Sequence, residues 1–303
     1  MQPEVARRRK PVAAIEEPYG GGRQLPTVSL TDIPALPEAA LYVLTVARKP
    51  NVSAEAVAQA LGTDQSIALR FLSLANSSFF SPSQRITTLS HCVAWLGLEF
   101  VCSTLVILGM DKMSSGVESL YFDRTAYWQH NLGTAACCEM IARRLRHEQP
   151  EEAYVVGLTH DIGKQVLLLT WREEYDECLE WAARMRLPLY QVEDERLGLD
   201  HAMAGALALR EWKFNPELVH IVLNHHELEY GNIQGRLMAT VRLAHHICET
   251  LGYGSFRDLA VSRPETTAME RLRVDEMFVS EVTCDLENSL EALDAIILAV
   301  SRY

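Results

Sequence analysis

The feature that most constrains the fold of this chain is an apolar pattern of helical period that runs through nearly all of it from Ile33 onward. Ile67, Phe71, Leu74 and Ala75, for example, recur at the spacing of one helix face. The alternation of apolar and polar residues that marks half-buried strands is scarce, and the chain has no repeat of fixed period. We therefore predict an all-α protein.

Breaks in this pattern divide the chain into four predicted regions. Residues 1–28 are rich in charge, proline and glycine, so we expect a disordered lead-in. A smaller helical subdomain at 29–112 is followed by a polar joint at 112–122, and a larger helical bundle occupies 123–252. Within that bundle we expect helices near 124–146, 151–159, 164–183, 189–212, 215–225 and 236–251.

A C-terminal helical extension is predicted at 253–303. Apolar residues recur at helical spacing near its end, at Leu290, Leu293, Ile296, Ile297 and Val300. This face either packs internally, which we favour, or forms a homodimer.

The composition is that of a globular protein in a reducing compartment. Hydrophobic residues make up 48% of the 303, yet the sequence lacks the run of about 18 apolar residues that a membrane span requires. The basic residues 7–10 are not followed by an apolar core, so we expect no secretory signal. Seven cysteines without a C-x-x-C pair predict buried free thiols, and we expect a cytoplasmic protein.

The charge balance argues against nucleic acid as a partner. Forty acidic residues against 28 basic ones give a net charge of −12, and such a surface repels phosphate backbones. Two short helices around Gly62 have helix-turn-helix proportions, but the second offers only Arg70 as a basic side chain. We interpret the basic cluster Arg7–Lys10 as a solvated tail.

The residues that carry chemistry centre on the doublet His160-Asp161, within the segment Gly157–Lys164. An imidazole beside a carboxylate suits Mg, Mn, Fe or Zn. Because Gly163 interrupts the apolar pattern, we expect the doublet to be exposed at a helix end. Helices build metal sites when ligands from several of them meet at one position. We predict such a locus from the doublet and five histidines near helix ends or apolar faces: His130, His160, Asp161, His201, His225, His226 and His245.

The ordered motifs resemble the HDOD family, the HD-related output domains of bacterial signalling proteins, over about three quarters of the chain. The matching segments are Ile33–Pro37, Asp64-Gln65, Leu74–Ser77, Ile86–Gly97, Trp128–His130, Gly157–Lys164, Asp200–Gly205, Trp212 to Pro216 and His225-His226. The resemblance implies a multi-helix bundle like that of the HD superfamily of metal-dependent phosphohydrolases, preceded by a smaller helical subdomain.

The resemblance also implies a divalent metal (Fe, Mn, Zn, Ni or Mg) and assigns its ligands. The His, the HD doublet and the additional histidines of two-metal relatives fall on His130, His160, Asp161, His201, His225 and His226. The late Asp of catalytic HD enzymes falls on His245, which makes the site more positive by about one unit and shifts its preference toward softer ions. Lys164 stands where catalytic relatives place a phosphate-facing base.

Two functions follow from the resemblance. The first is a regulatory output module that acts by binding other signalling proteins or a small phosphate-containing ligand. The Gly-Tyr-Pro segment of the related HD-GYP phosphodiesterases is missing after His226, which favours this function. The second is an active metal-dependent phosphohydrolase, in which Lys164 is catalytic. The number of retained candidate ligands favours the second.

Overall fold

The computed structural model describes residues 33–77, 80, 82–147, 150–227, 235–253 and 266–301, with the backbone alone for 290–301. These residues form helices joined by short loops and contain no strand, which confirms the all-α prediction. The helices are α1 (Glu38–Ala47), α2 (Ala54–Leu61), α3 (Gln65–Ala75), α4 (Leu89–Leu96), α5 (Leu98–Ser114), α6 (Arg124–Arg144), α7 (Pro150–Thr159), α8 (Ile162–Thr170), α9 (Arg172–Met185), α10 (Leu189–Leu197), α11 (His201–Glu211), α12 (Pro216–Asn224), α13 (Gly235–Thr250), α14 (Thr266–Leu272) and α15 (Glu276–Ser301).

Several expectations fall outside what the structure describes. The predicted lead-in at 1–28, with Arg7–Lys10, lies outside the described residues, as do the side chains of Leu290, Leu293, Ile296, Ile297 and Val300. Helix α15 packs on α6 and α3, and its earlier part buries Val282 and Leu286. The seven cysteines all lie within the described ranges, and they are free thiols, of which Cys284 is exposed and the other six are buried.

Several helices begin where a short polar side chain caps the first turn. The side chains of Ser53, Asp64, Asp123 and Asp200 each accept a hydrogen bond from the backbone N–H three residues later. Such caps satisfy amides that lack a partner inside the helix, and each typically contributes about 1 kcal/mol. The cap at Asp200 fixes the start of α11, and with it the position of His201.

Two predicted helices are each two helices in the structure. The segment 164–183 is broken at Trp171, between α8 and α9. The segment 189–212 is broken between α10 and α11, because Gly198 adopts a left-handed φ of 78° that ends α10 and Asp200 starts the next helix. This second break turns α11 so that it packs on α8 and α12.

One hydrophobic core connects the predicted subdomains. Helix α5 is buried along most of its length and packs on α1 and α4 as well as on α7 and α8. The Asp111 carboxylate on α5 accepts hydrogen bonds from Trp128 Nε1 at 2.8 Å and from Arg124 at 2.6 Å, both on α6. The loop that joins α5 to α6 coincides with the predicted joint, while the domain boundaries themselves stay a prediction.

None of the helices in the described ranges is by itself long and apolar enough to cross a membrane. Helices α4 and α5 are long and apolar enough only when they are taken together, and they are bent by 105° relative to each other.

Close packing at two glycines brings the central helices together. A Cβ atom at Gly157 would lie 2.7 Å from Ala135 Cα on α6, and one at Gly163 would lie 1.8 Å from the carbonyl oxygen of His201. Both positions therefore require glycine for lack of space. They hold α7 against α6 and α8 against α11, and the turn between α7 and α8 lies between these contacts.

Candidate metal centre

The structure brings together all seven candidate metal ligands that were predicted from the sequence. Four segments besides the doublet's turn contribute: His130 lies on α6, His201 opens α11, His225 and His226 follow α12, and His245 lies on α13. The doublet itself occupies the turn between α7 and α8. Their donor atoms fall into two sets, each with members within 4.8 Å of one another. Position A comprises His130, His160, Asp161 and His245, and position B comprises His201, His225 and His226.

The carboxylate of Asp161 faces both positions. Its Oδ2 lies 3.4 Å from His130 Nε2 and 3.5 Å from His160 Nε2. Its Oδ1 lies 3.2 Å from His201 Nε2 and 3.7 Å from His225 Nε2. One carboxylate is thus placed between two groups of imidazoles.

The prediction that the doublet is exposed at a helix end is wrong. His160 and Asp161 are both completely buried, because α6, α8, α11 and α13 close around the turn. Burial lowers the pKa of His160 to about 3, so its imidazole is neutral. Burial would raise the pKa of Asp161, but His160, Lys164 and hydrogen bonds from other imidazoles hold it well below its usual range. Asp161 is therefore ionised.

Backbone carbonyls orient three of the imidazoles. The Nδ1 atoms of His130, His160 and His225 lie 2.6, 2.7 and 2.7 Å from carbonyl oxygens. These oxygens belong to Tyr253, Gly157 and Val222, respectively. Because a carbonyl can only accept, each Nδ1 must carry the hydrogen. In the neutral form of each ring, which metal binding requires, the Nε2 atom is a bare lone pair directed at the centre of the cluster.

A carboxylate orients the fourth imidazole. Glu193 Oε2 accepts hydrogen bonds from His201 Nδ1 at 2.6 Å and from the His201 backbone N–H at 2.8 Å. Glu193 is completely buried on α10, and it was not among the residues predicted from the sequence. The available signal was its place beside Val192 on the apolar face of α10, where an unpaired carboxylate is costly. Burial would lower the pKa of His201, but Glu193 and Asp161 outweigh it and raise the pKa to about 9.

The donor atoms need a positive charge between them. His130 Nε2 and His160 Nε2 are 3.2 Å apart, and His201 Nε2 lies 2.8 Å from His226 Nε2. Two bare lone pairs at such distances repel each other unless a proton or a metal ion lies between them. In addition, His225 Nε2 is buried without a hydrogen-bond partner among the described residues. Six imidazoles and one carboxylate form a donor set that fits a borderline divalent ion.

The sequence places the chain in a known family. The family model of the HDOD domain matches residues 33–228. The chain belongs to the HDOD family. No curated protein matched the sequence.

Solved structures agree with this HDOD assignment at the level of the fold. An HDOD domain protein of unknown function from Geobacter sulfurreducens is 23% identical with a TM-score of 0.68, over 88% of this chain and 93% of that one. A provisionally named signal transduction protein from Marinobacter aquaeolei is 20% identical with a TM-score of 0.72, over 94% of this chain and 63% of that one. A provisionally named metal-dependent phosphohydrolase from Shewanella amazonensis is 19% identical with a TM-score of 0.58, over 88% and 92%.

In this HDOD protein Lys164 pairs with the cluster's carboxylate. Its Nζ lies 2.6 Å from Asp161 Oδ2, and the residue is 7% exposed. The ammonium therefore neutralises Asp161 on the side of position A. The phosphate-facing role that the resemblance implies for Lys164 stays a prediction.

The rim of the cluster is formed by its two partly exposed histidines. His226 stacks on Tyr190 with ring centroids 4.4 Å apart, and His245 Nδ1 lies 3.5 Å from Glu249 Oε2. The His245 ring also packs edge-on against His130 and His160. A ligand from solvent would reach the buried donors past His226 and His245.

Proposed function

We propose that this HDOD protein binds divalent transition-metal ions at the His/Asp cluster and holds a phosphate-containing ligand there, as an output module in signalling. The observation that carries the proposal is the inward convergence of Nε2 lone pairs whose Nδ1 atoms are fixed from behind. Side chains placed only for packing do not need this pattern. Metal ligands do, because an outer hydrogen bond fixes the tautomer and the ring direction.

Imidazole donors decide which ions fit. Position A would be held by His130, His160, His245 and Asp161, and position B by His201, His225, His226 and Asp161. Nitrogen-rich sets favour Fe, Co, Ni and Zn, whereas Mg and Ca prefer sites built from oxygen. We therefore expect Zn²⁺, Fe²⁺ or a similar ion rather than Mg²⁺.

The charge of the site supports an anionic ligand. When all the imidazoles are neutral, as metal ligands must be, the carboxylates of Asp161 and Glu193 are opposed by the ammonium of Lys164, which leaves a charge near −1. A bound divalent ion would turn this sum positive and would act as a Lewis acid toward a phosphoryl oxygen. In a water-poor site such a charge attracts phosphate more strongly than it would in bulk solvent.

The residues of the rim would position the ligand. Tyr190 holds His226 by stacking, and Glu249 lies beside His245, so both rim imidazoles have neighbours that restrict their motion. Lys164 is the ammonium nearest to the buried carboxylate and would add positive charge at the base of the site. These groups bind and orient; none of them by itself requires that the ligand be hydrolysed.

Phosphohydrolysis is the second candidate function, and one observation favours it. Asp161 faces both sets of imidazoles, as a bridging carboxylate does in two-metal centres with ions about 3.5–4 Å apart. The name given to the structural neighbour from Shewanella amazonensis points the same way. His245, in place of the late carboxylate of catalytic relatives, removes one of the charges that would stabilise a second ion.

Metal analysis tests the proposal. Protein purified without chelator or metal-affinity resin should contain one or two equivalents of a transition metal, and the His160→Ala/Asp161→Ala variant should contain almost none. His246→Ala is the matched control, because His246 follows His245 on α13 but belongs to neither set of donors. Metal content that is substoichiometric and indifferent to the double substitution would refute the proposal.

Hydrolysis of a bis-aryl phosphate separates the two functions. Metal-dependent turnover that is lost in the double variant would establish the enzyme. Metal binding together with retention of inorganic phosphate, but without turnover, would establish the binding module.

A further inference from the structure

We infer that the two positions differ in strength, that position B fills first, and that Glu193 sets this order by acting through His201. The inference rests on the proposed metal-binding function and adds to it the sequence of loading. It depends on two independent contacts, one on each side of Asp161.

The first contact is the unequal use of the Asp161 carboxylate. Oδ2, which faces position A, already receives the Lys164 ammonium at 2.6 Å. Oδ1, which faces position B, has His201 Nε2 at 3.2 Å and His225 Nε2 at 3.7 Å as its neighbours. A cation at position A must share its only anionic ligand atom with a fixed ammonium, whereas Oδ1, on the side of position B, faces only the imidazoles of His201 and His225. Coulombic repulsion from Lys164 acts strongly here because the groups are buried.

The second contact is the carboxylate behind His201. In position A the Nδ1 atoms of His130 and His160 donate to neutral backbone carbonyls. In position B the Nδ1 of His201 donates to Glu193, which is ionisable and completely buried. A carboxylate partner makes an imidazole a stronger donor than a carbonyl does, and losing such a partner typically weakens metal affinity by about 10- to 100-fold.

Position A has its own carboxylate neighbour, but a weaker one. Glu249 Oε2 lies 3.5 Å from His245 Nδ1, and the two side chains are 16% and 20% exposed. Solvent screens a pair at this distance and exposure. Glu193, at 2.6 Å and fully buried, has the larger effect.

A single-metal form follows from this order. When metal is scarce, position B is occupied and Lys164 keeps its contact with Asp161. The second ion binds only at higher metal concentration, where it competes with the ammonium. Under limiting metal the protein is therefore a one-metal binding module, and a two-metal centre exists only when metal is abundant.

Cobalt titration tests the order of loading. Metal-free protein is titrated with CoCl2, and binding is followed by calorimetry and by the visible absorption of Co²⁺, which reports its nitrogen ligands. We expect two steps that differ in Kd by at least about tenfold. Glu193→Gln should weaken the first step by about 10- to 100-fold, shift its absorption band and leave the second step unchanged. Glu195→Gln, an exposed carboxylate on the same helix, should change neither step.

Two rim variants test the order without relying on Glu193. His226→Ala should abolish the tight step, and His245→Ala should abolish the weak one; both side chains are partly exposed, so the fold tolerates their loss. The inference is overturned if His245→Ala removes the tight step, or if folded Glu193→Gln binds both ions as the unmodified protein does. Should the unmodified protein bind no Co²⁺, the proposed function itself fails.

Discussion

Replacement of Gly163 by alanine should separate the two helices that carry Asp161 and His201. The added Cβ would lie 1.8 Å from the His201 carbonyl oxygen and 2.6 Å from the backbone nitrogen of Gly205. Ordinary contacts of a Cβ begin near 3.4 Å, so α8 and α11 must move apart by about 1.6 Å, the difference between these distances. Neither obstructing atom belongs to a flexible side chain.

The cost follows from this displacement. Overpacking a core typically costs 1–3 kcal/mol, and because backbone must move here we expect Gly163→Ala to lower the free energy of unfolding by about 3 kcal/mol. For a domain of this size that is a fall in Tm of roughly 6–12 °C. The same displacement moves His201 away from Asp161, so metal binding at position B should weaken as well.

Urea unfolding followed by circular dichroism measures the first effect, and cobalt binding measures the second. Gly116→Ala is the matched control, since no atom lies within 4 Å of its added Cβ, and we expect it to stay within about 0.5 kcal/mol of the unmodified protein. A Gly163→Ala protein as stable as this control would refute the argument that α8 and α11 need a glycine at their contact.

Three further predictions concern stability, metal and pH. Asn76→Ala should destabilise the protein by about 2–4 kcal/mol in urea unfolding, because the Asn76 amide exchanges two hydrogen bonds with the Ile86 backbone and donates to Leu72. A chelator should lower the Tm of the metal-loaded protein. The loss of stability should be about 2.7 kcal/mol if the free metal had been at 100 times Kd, and the Tm of the Asp161→Asn variant should not change. Because the pKa of His201 is raised to about 9, metal-free protein keeps this proton at pH 7 and a metal must displace it. Calorimetry in two buffers should therefore show that protons are released when the metal binds. The apparent affinity for the metal should rise from pH 7 and level off above pH 9. Equal affinity at pH 7 and pH 9 would contradict the displacement of a proton from His201.

The sequence was sufficient to predict the role of residues whose position depends only on their own helix. Asp64 and Ser53 precede apolar runs and cap the helices that those runs form, because capping is decided within one turn. The seven candidate ligands could be nominated for a similar reason, since each lies at a helix end or on an apolar face. The doublet's burial could not be predicted, because it results from four other helices closing around one turn.

Glu193 shows why the rest of the site needed the structure. In an unbroken helix over 189–212, residues 193 and 201 would be separated by about 12 Å along the axis. The left-handed turn at Gly198 and the cap at Asp200 bring them to 2.6 Å. The signals for a break were a glycine and, two residues later, an aspartate, a pair that also occurs inside continuous loops and helices. The contact between Glu193 and His201 is a tertiary contact, and local sequence signals do not predict it.

The placement of one carboxylate between both positions also determines how this centre can be lost. A single substitution at Asp161 would disable both positions together, whereas the loss of one histidine would leave the opposite position intact. On the proposed metal-binding function, HDOD sequences that lack the aspartate are expected to bind metal weakly at both positions. Those that lack only a histidine must each be assayed, because a one-ion remnant would survive.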